Sequence, residues 1–166
     1  PDGEPVYARL GFKPEWRLNR WERVFPEHRE VPASAGGGET ARFAELDRQA
    51  FGADRMDWVS RLEAGAKNVR LAADGYGMIR QGARANYVGP IVGADPDAAC
   101  ELVRELIRHA EGRTYWDIPA DNERAVSLAR ELGFEKTRDL LRMWLGKRNV
   151  AGDPRRQFGI GDPSTG

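Results

Sequence analysis

RTYWDIPADNERAVSLARELGFEKTRDLLRMW, residues 113–144, is the stretch that decides the fold. Its first seven residues, Arg113 to Pro119, are apolar enough for a buried strand. Asn122 then stands where a helix N-cap belongs, and the apolar positions of AVSLARELGF recur at helical spacing. Leu132-Gly133-Phe134 reads as the end of that helix, because a glycine there accepts the left-handed backbone of a C-terminal cap. A returning strand is expected from Leu140 to Trp144. A second, partial copy opens the chain as VYARLGFKPEWRLNRW, residues 6–21. Laying Leu10-Gly11-Phe12 on Leu132-Gly133-Phe134 gives a shift of 122 residues (132 − 10), which also pairs Leu18 with Leu140 and Arg20 with Arg142. A repeated helix end and following strand is the pattern that any fold must accommodate.

Outward from these two units the chain divides by composition. Residues 1–24 hold the first LGF unit, in which Tyr7, Leu10 and Phe12 fit a helix end and Trp16, Leu18 and Arg20 alternate as in a strand. Such a unit cannot bury its own apolar face, so Trp16, Leu18 and Trp21 must dock on the sheet of the rest of the chain or on another chain. Residues 25–38, FPEHREVPASAGGG, lack periodicity and are rich in Pro, Gly and Ser, which marks a linker. Its His28 has no second metal-type ligand at useful spacing. From Glu39 a helix carries Phe43, Leu46 and Ala50 and stops at Gly52. Asp54 begins a second helix with Met56, Val59 and Leu62. Val69, Leu71 and Ala73 alternate into Asp74-Gly75, a type I′ hairpin signal, and the chain returns through Tyr76 and Met78. Gln81-Gly82 turns into a third antiparallel strand over residues 83–92. Asp95-Pro96 is a strong helix start, followed by the stripe Leu102, Val103, Leu106, Ile107 and Ala110. From Gly146 onward the chain is expected to be irregular, with Phe158 and Ile160 able to dock it.

Bulk composition excludes several classes. The 26 Lys+Arg balance 26 Asp+Glu, so no net field attracts nucleic acid or a membrane surface. Arg80 and Arg84, about the Gln81-Gly82 turn, read as solvated hairpin charges. Cys100 is the lone cysteine, has no intramolecular disulfide partner, and suits a reducing cytoplasm. No apolar run is long enough to span a bilayer. There is no persuasive Ser/His/Asp set and no metal-ligand cluster. The start at PDGEPVY, without Met, reads as a fragment of a longer polypeptide.

The segment NERAVSLARELGF, Asn122 to Phe134, resembles the late helix of the GNAT acetyltransferases, whose pattern is N-x-x-A-x-x-L-Y-x-x-L-G-F. GYGMIRQGARANYVGPIV, residues 75–92, together with Asp117-Ile118-Pro119, resembles a narrower group that carries two such domains in tandem. The resemblance implies an α+β fold, a mixed and mostly antiparallel sheet flanked by helices. It implies that residues 39–146 are a C-terminal GNAT-like domain and residues 1–24 the last helix end and strand of a preceding, truncated one. Residues 25–38 would be the linker and 147–166 the tail.

The family's chemistry transfers unevenly. In GNAT enzymes a Gly-rich loop at a helix start cradles the pyrophosphate of acetyl-CoA, where free N–H groups favour an anion. The corresponding residues here are Gly93, Ala94, Asp95, Pro96, Asp97 and Ala98, and only Ala98 matches. Pro96 removes a donor, and two carboxylates stand where phosphates would lie, so this domain lacks the usual coenzyme cradle. The tyrosine that protonates the leaving thiolate falls at Ala129 in the second unit but at Tyr7 in the first, which makes Tyr7 the candidate catalytic acid. Asn86, Tyr87, Asp117 and Asn122 are the candidate substrate-binding residues, lining the cleft where the fourth and fifth GNAT strands part. The expected activity is acetyl transfer to an unidentified small-molecule or peptide amine, without metal, by a polypeptide of which this is the C-terminal region. Residues 39–146 would shape the acceptor site or brace a missing N-terminal GNAT domain, and this chain alone would be inactive. The alternative is a non-catalytic ligand-binding or dimerisation module on the same scaffold, with a homodimer as its expected assembly where it dimerises.

Overall fold

The computed structural model describes residues 3–27, 37–147 and 152–163. His28 and most of the linker therefore lie outside the described residues. The elements are α1 (Glu4–Arg9), β1 (Lys13–Phe25), a 3-10 turn (Glu39–Phe43), α2 (Ala44–Phe51), α3 (Met56–Ala64), β2 (Ala66–Leu71), β3 (Gly75–Gln81), β4 (Asn86–Gly93), α4 (Pro96–Ile107), β5 (Gly112–Pro119), α5 (Glu123–Glu131), β6 (Glu135–Trp144) and β7 (Gln157–Gly159). The main sheet runs in the order β2-β3-β4-β5-β1-β6, with β7 pairing β4. Among the described strands only β4 and β5 pair in parallel, so the sheet is mixed and mostly antiparallel, as the resemblance implied.

The N-terminal unit is an interior strand of that sheet. β1 pairs antiparallel with β5 on one edge, Trp21 opposite Trp116, and with β6 on the other, Leu18 opposite Leu140. Alternation then sends its side chains to two different layers. Trp21 and Phe25 join the core beneath α4 and α5, with Val88, Leu106, Trp116, Ile118 and Phe134. Trp16 and Leu18 pack on the opposite face with Ile160 and Leu140. The three aromatic and aliphatic residues that needed cover, Trp16, Leu18 and Trp21, are 7%, 3% and 4% exposed. Both repeat units close with the same hydrogen bonds. Phe12 N donates to Tyr7 O (3.1 Å) and Phe134 N to Ala129 O (2.9 Å), with Gly11 and Gly133 at φ 90° and 75°. Since Leu18 faces Leu140, its own counterpart under the 122-residue shift (140 − 18), the two strands are related by a local two-fold axis through that pair.

α2 and α3 cover the other face of β2, β3 and β4, over Tyr76, Met78, Val69 and Val92. An ion pair pins them there. Arg55 donates from Nε and Nη2 to Asp47 (both 2.9 Å), and Tyr76 Oη donates to the same carboxylate at 2.5 Å. Burial, foremost, raises the Tyr76 hydroxyl well above its ordinary pKa, which keeps it a donor. The hairpin at Asp74-Gly75 differs from the expected type I′ turn. Ala72 N donates to Gly75 O with Ala73 and Asp74 between them, so Gly75 opens β3, and it is not among the positive-φ glycines. Glycine is required there for room instead, since a Cβ would sit 2.6 Å from Val92 O. The tail also departs from an irregular course. Residues 154–159 form a 3-10 turn and β7, because Phe158 and Ile160 bury to 1% and 3% exposure.

Because Arg55 and Asp47 are both buried, removing one partner strands a charge. Arg55→Met is expected to cost about 3–5 kcal/mol in urea denaturation; a loss within about 0.5 kcal/mol, the usual range for surface changes, would show that the pair does not anchor α2.

Candidate functional site

β4 and β5 run side by side for three residue pairs only, Asn86–Thr114, Tyr87–Tyr115 and Val88–Trp116. Beyond them the strands part, and the chain's own C-terminal segment fills the gap. β7 pairs with β4 at Ile91–Gly159 and Val92–Gln157. On the β5 side Ile160 N donates to Asp117 O (2.9 Å) and Trp116 Nε1 donates to Phe158 O (2.7 Å). Asn122 Nδ2 donates to the carbonyls of Arg155 and Gln157, each at 3.0 Å. Gly89, at φ 140°, has Ile160 O where a Cβ would stand, so the wedge is built around this segment. Arg80 closes the outer side by donating to Gly89 O at 2.8 Å and to Gly161 O.

The helix start beside the wedge is equally committed. Asp95 Oδ1 accepts from Asp97 N and Ala98 N, both at 2.8 Å, and Asp95 N donates to Asp74 Oδ2 at 2.9 Å. Those free N–H groups are what an anion at a helix N-terminus uses, and here a carboxylate of the chain already holds them. Asp74 and Asp97 add further negative charge, the latter paired with Arg124. The residues present do not fit a coenzyme pyrophosphate. Among the described residues no group of three or more His, Cys, Asp or Glu is placed to hold a metal ion, and no helix is long and apolar enough to cross a membrane.

The opposite face of β4, β5 and β1 carries a different constellation. Arg20 donates from Nε and Nη2 to the two oxygens of Asp117, at 2.8 and 2.7 Å. Asp117 is 2% exposed, and its carboxylate, chiefly through these hydrogen bonds, raises the pKa of Arg20. The guanidinium lies 4.6 Å from the Tyr115 ring centroid and 5.7 Å from that of Tyr87, and the two rings meet edge-on at 5.6 Å. This face joins a neutralised ion pair to two aromatic rings, with the guanidinium held over the Tyr115 ring.

The five residues singled out in the sequence are thus not gathered in one place. Tyr87 and Asp117 meet through Arg20. Tyr7, 50% exposed on α1, shares a pocket of about 250 Å³ with Leu18, Arg20, Arg138 and Leu140. Asn86 is turned toward the far end of β5, where its Nδ2 donates to Glu111 O at 2.7 Å beside a cavity of about 310 Å³. Asn122 is 3% exposed, caps α5 by accepting from Ala125 N, and ties down the tail. Arg20 and Tyr115 were missed. Arg20 reads as a surface strand residue until the β1–β5 register places it opposite Asp117, and no spacing in the sequence predicts a contact across 97 positions.

A GNAT-type layered fold whose gap between β4 and β5 is filled by its own later segment is the class that these features define. The chain belongs to the acetyltransferase (GNAT) domain family, whose model matches residues 43–159. It is 24% identical over 146 residues to the uncharacterized N-acetyltransferase YitH of Bacillus subtilis, covering 81% of this chain and 52% of that protein. A provisionally named acetyltransferase of Pyrococcus horikoshii has the same fold over 99% of this chain and 57% of its own, with a TM-score of 0.76 at 22% identity. A GCN5-related N-acetyltransferase of Sphaerobacter thermophilus matches 90% of this chain and 58% of its own, with a TM-score of 0.58 at 15% identity. The chain therefore spans little more than half the length of these relatives.

Asn122→Ala removes a cap, worth about 1 kcal/mol, and also takes the Asn122 donor from the buried Gln157 carbonyl and the part-buried Arg155 carbonyl of the tail. The expected loss in urea denaturation is about 2–4 kcal/mol, with faster amide exchange at Phe158 and Ile160. A loss no larger than a cap alone, with unchanged exchange, would mean that the wedge does not depend on Asn122.

Proposed function

We propose that the polypeptide is an acetyl-CoA-dependent N-acetyltransferase acting on an amine, and that residues 39–146 are its second, C-terminal GNAT-like domain. Residues 1–24 are then the last helix end and strand of a preceding domain. The observation that carries this reading is the division of labour between the two repeat units. The unit with a complete fold has Ala129 at the acid position, a carboxylate-capped helix start and a filled wedge. The other unit has a tyrosine at that position, half exposed beside Arg20.

In this reading the coenzyme is held by the preceding domain and not by residues 39–146. The coenzyme supplies the acetyl thioester. Tyr7 Oη is the proton donor on offer, and a phenol suits that task if it lies within hydrogen-bond reach of the leaving atom. Arg20, Asp117, Tyr87 and Tyr115 form one wall for the acceptor amine's body, the ion pair fixing the guanidinium over the Tyr115 ring. A second reading, a non-catalytic binding or dimerisation module, draws on the filled wedge itself, because a domain that has surrendered its ligand slot is free to serve as a scaffold.

Acetyl transfer to a panel of amines separates the two. The polypeptide extended upstream as encoded is expected to be active, and Tyr7→Phe to lower its kcat about 10²–10⁴-fold with little change in KM for acetyl-CoA. Full activity of Tyr7→Phe would remove Tyr7 from the mechanism. An extended polypeptide inactive on every amine, yet folded, would favour the module.

A further inference from the structure

The two repeat units fold alike but are not equally satisfied. Val6 and Tyr7 of α1 correspond under the 122-residue shift to Leu128 and Ala129 of α5 (128 − 6 and 129 − 7). Leu128 and Ala129 are 2% and 0% exposed, in the same core cluster as Trp116 and Ile118. Val6 and Tyr7 are 58% and 50% exposed, Leu10 is 65% exposed, and no residue of α1 is buried. An amphipathic helix whose copy is fully packed has an apolar face without its layer.

The strands show the same imbalance. β1 is hydrogen-bonded on both edges, to β5 and to β6, whereas β6 pairs only with β1 among the described residues. A ten-residue strand, Glu135–Trp144, thus offers a row of main-chain donors and acceptors. The local two-fold through Leu18 and Leu140 carries β1 onto β6. It must then carry β5, the other neighbour of β1, onto the open edge of β6. Relatives with this fold are also longer, this chain covering 57% and 58% of two of them, so a second body of comparable size has room.

We propose that the open edge of β6 and the apolar face of α1 are two halves of one interface for a preceding copy of this fold. The copy's strand 122 residues upstream of β5 pairs antiparallel with β6, in the register that β5 keeps with β1, and its sheet covers Val6 and Leu10. The two domains exchange strands: β1 sits in this sheet, and β6 completes the other. This rests on the tandem reading above and adds to it the surface, the strand and the register. A second copy of this chain is a poor occupant, because its β5 is already paired on both edges, by β4 and β1.

Amide exchange on β6 and the stability of Val6→Asp, each measured in the 166-residue chain and in the polypeptide extended upstream as encoded, test this. In the short chain the open-edge amides of β6 should exchange freely and Val6→Asp should leave Tm unchanged. In the extended polypeptide the same amides should slow about tenfold or more, and Val6→Asp should lower Tm. If the upstream region folds but β6 exchange and the Val6→Asp effect match the short chain, the interface is wrong while the tandem reading stands. If the upstream region forms no such domain, both fail. Dimerisation of the short chain with protected β6 amides would give the edge to a second copy and overturn the proposal.

Discussion

The β5-β1-β6 half of the sheet depends on one ladder, the insertion of β1 between β5 and β6. Without it β5 would end the sheet and β6 would have no partner. β1 also brings four large apolar side chains to two faces: Trp21 and Phe25 toward α4 and α5, Trp16 and Leu18 toward the tail. Burial of each contributes about 1.5–3 kcal/mol, a large share of the margin by which a domain is stable. The same ladder sets Arg20 opposite Asp117, so that ion pair is made by strands from both units.

The wedge between β4 and β5 follows a different logic. A gap between parting strands exposes main-chain donors and acceptors that must be satisfied by something. Here the chain satisfies them itself, through β7, Ile160 N and the side chains of Trp116 and Asn122. The helix start next to it is satisfied by Asp95 in the same manner. Internal groups thus hold the main-chain donors at both of these places. The other face carries Arg20, Tyr87 and Tyr115, and the pocket that holds Tyr7 borders Arg20.

Much of this was legible in the residues. The Asn122-to-Phe134 helix, the Asp95-Pro96 start and the meander of three strands all come from local signals, a cap, a period, a turn. The duplication was legible too, since two LGF ends with matching strands need no structure to be seen. Topology was not. That a strand at residues 13–25 would pair with one at 112–119 is a non-local choice which no local pattern encodes, and Arg20 reads only as an alternating strand residue because its partner lies 97 positions away. Gly75 shows the same limit on a smaller scale: Asp-Gly suggested a positive φ, but close approach to Val92 is what demands the glycine. Asn122 was placed rightly at a cap, while its second task, holding Arg155 and Gln157, needed the path of the tail.

The central claim is that residues 39–146 have given up the coenzyme site which their fold implies. Calorimetric titration of this 166-residue chain with acetyl-CoA addresses it most directly. The account predicts no saturable heat at millimolar coenzyme. Tight, stoichiometric binding that displaces residues 157–160, seen as faster exchange at Phe158 and Ile160, would contradict it.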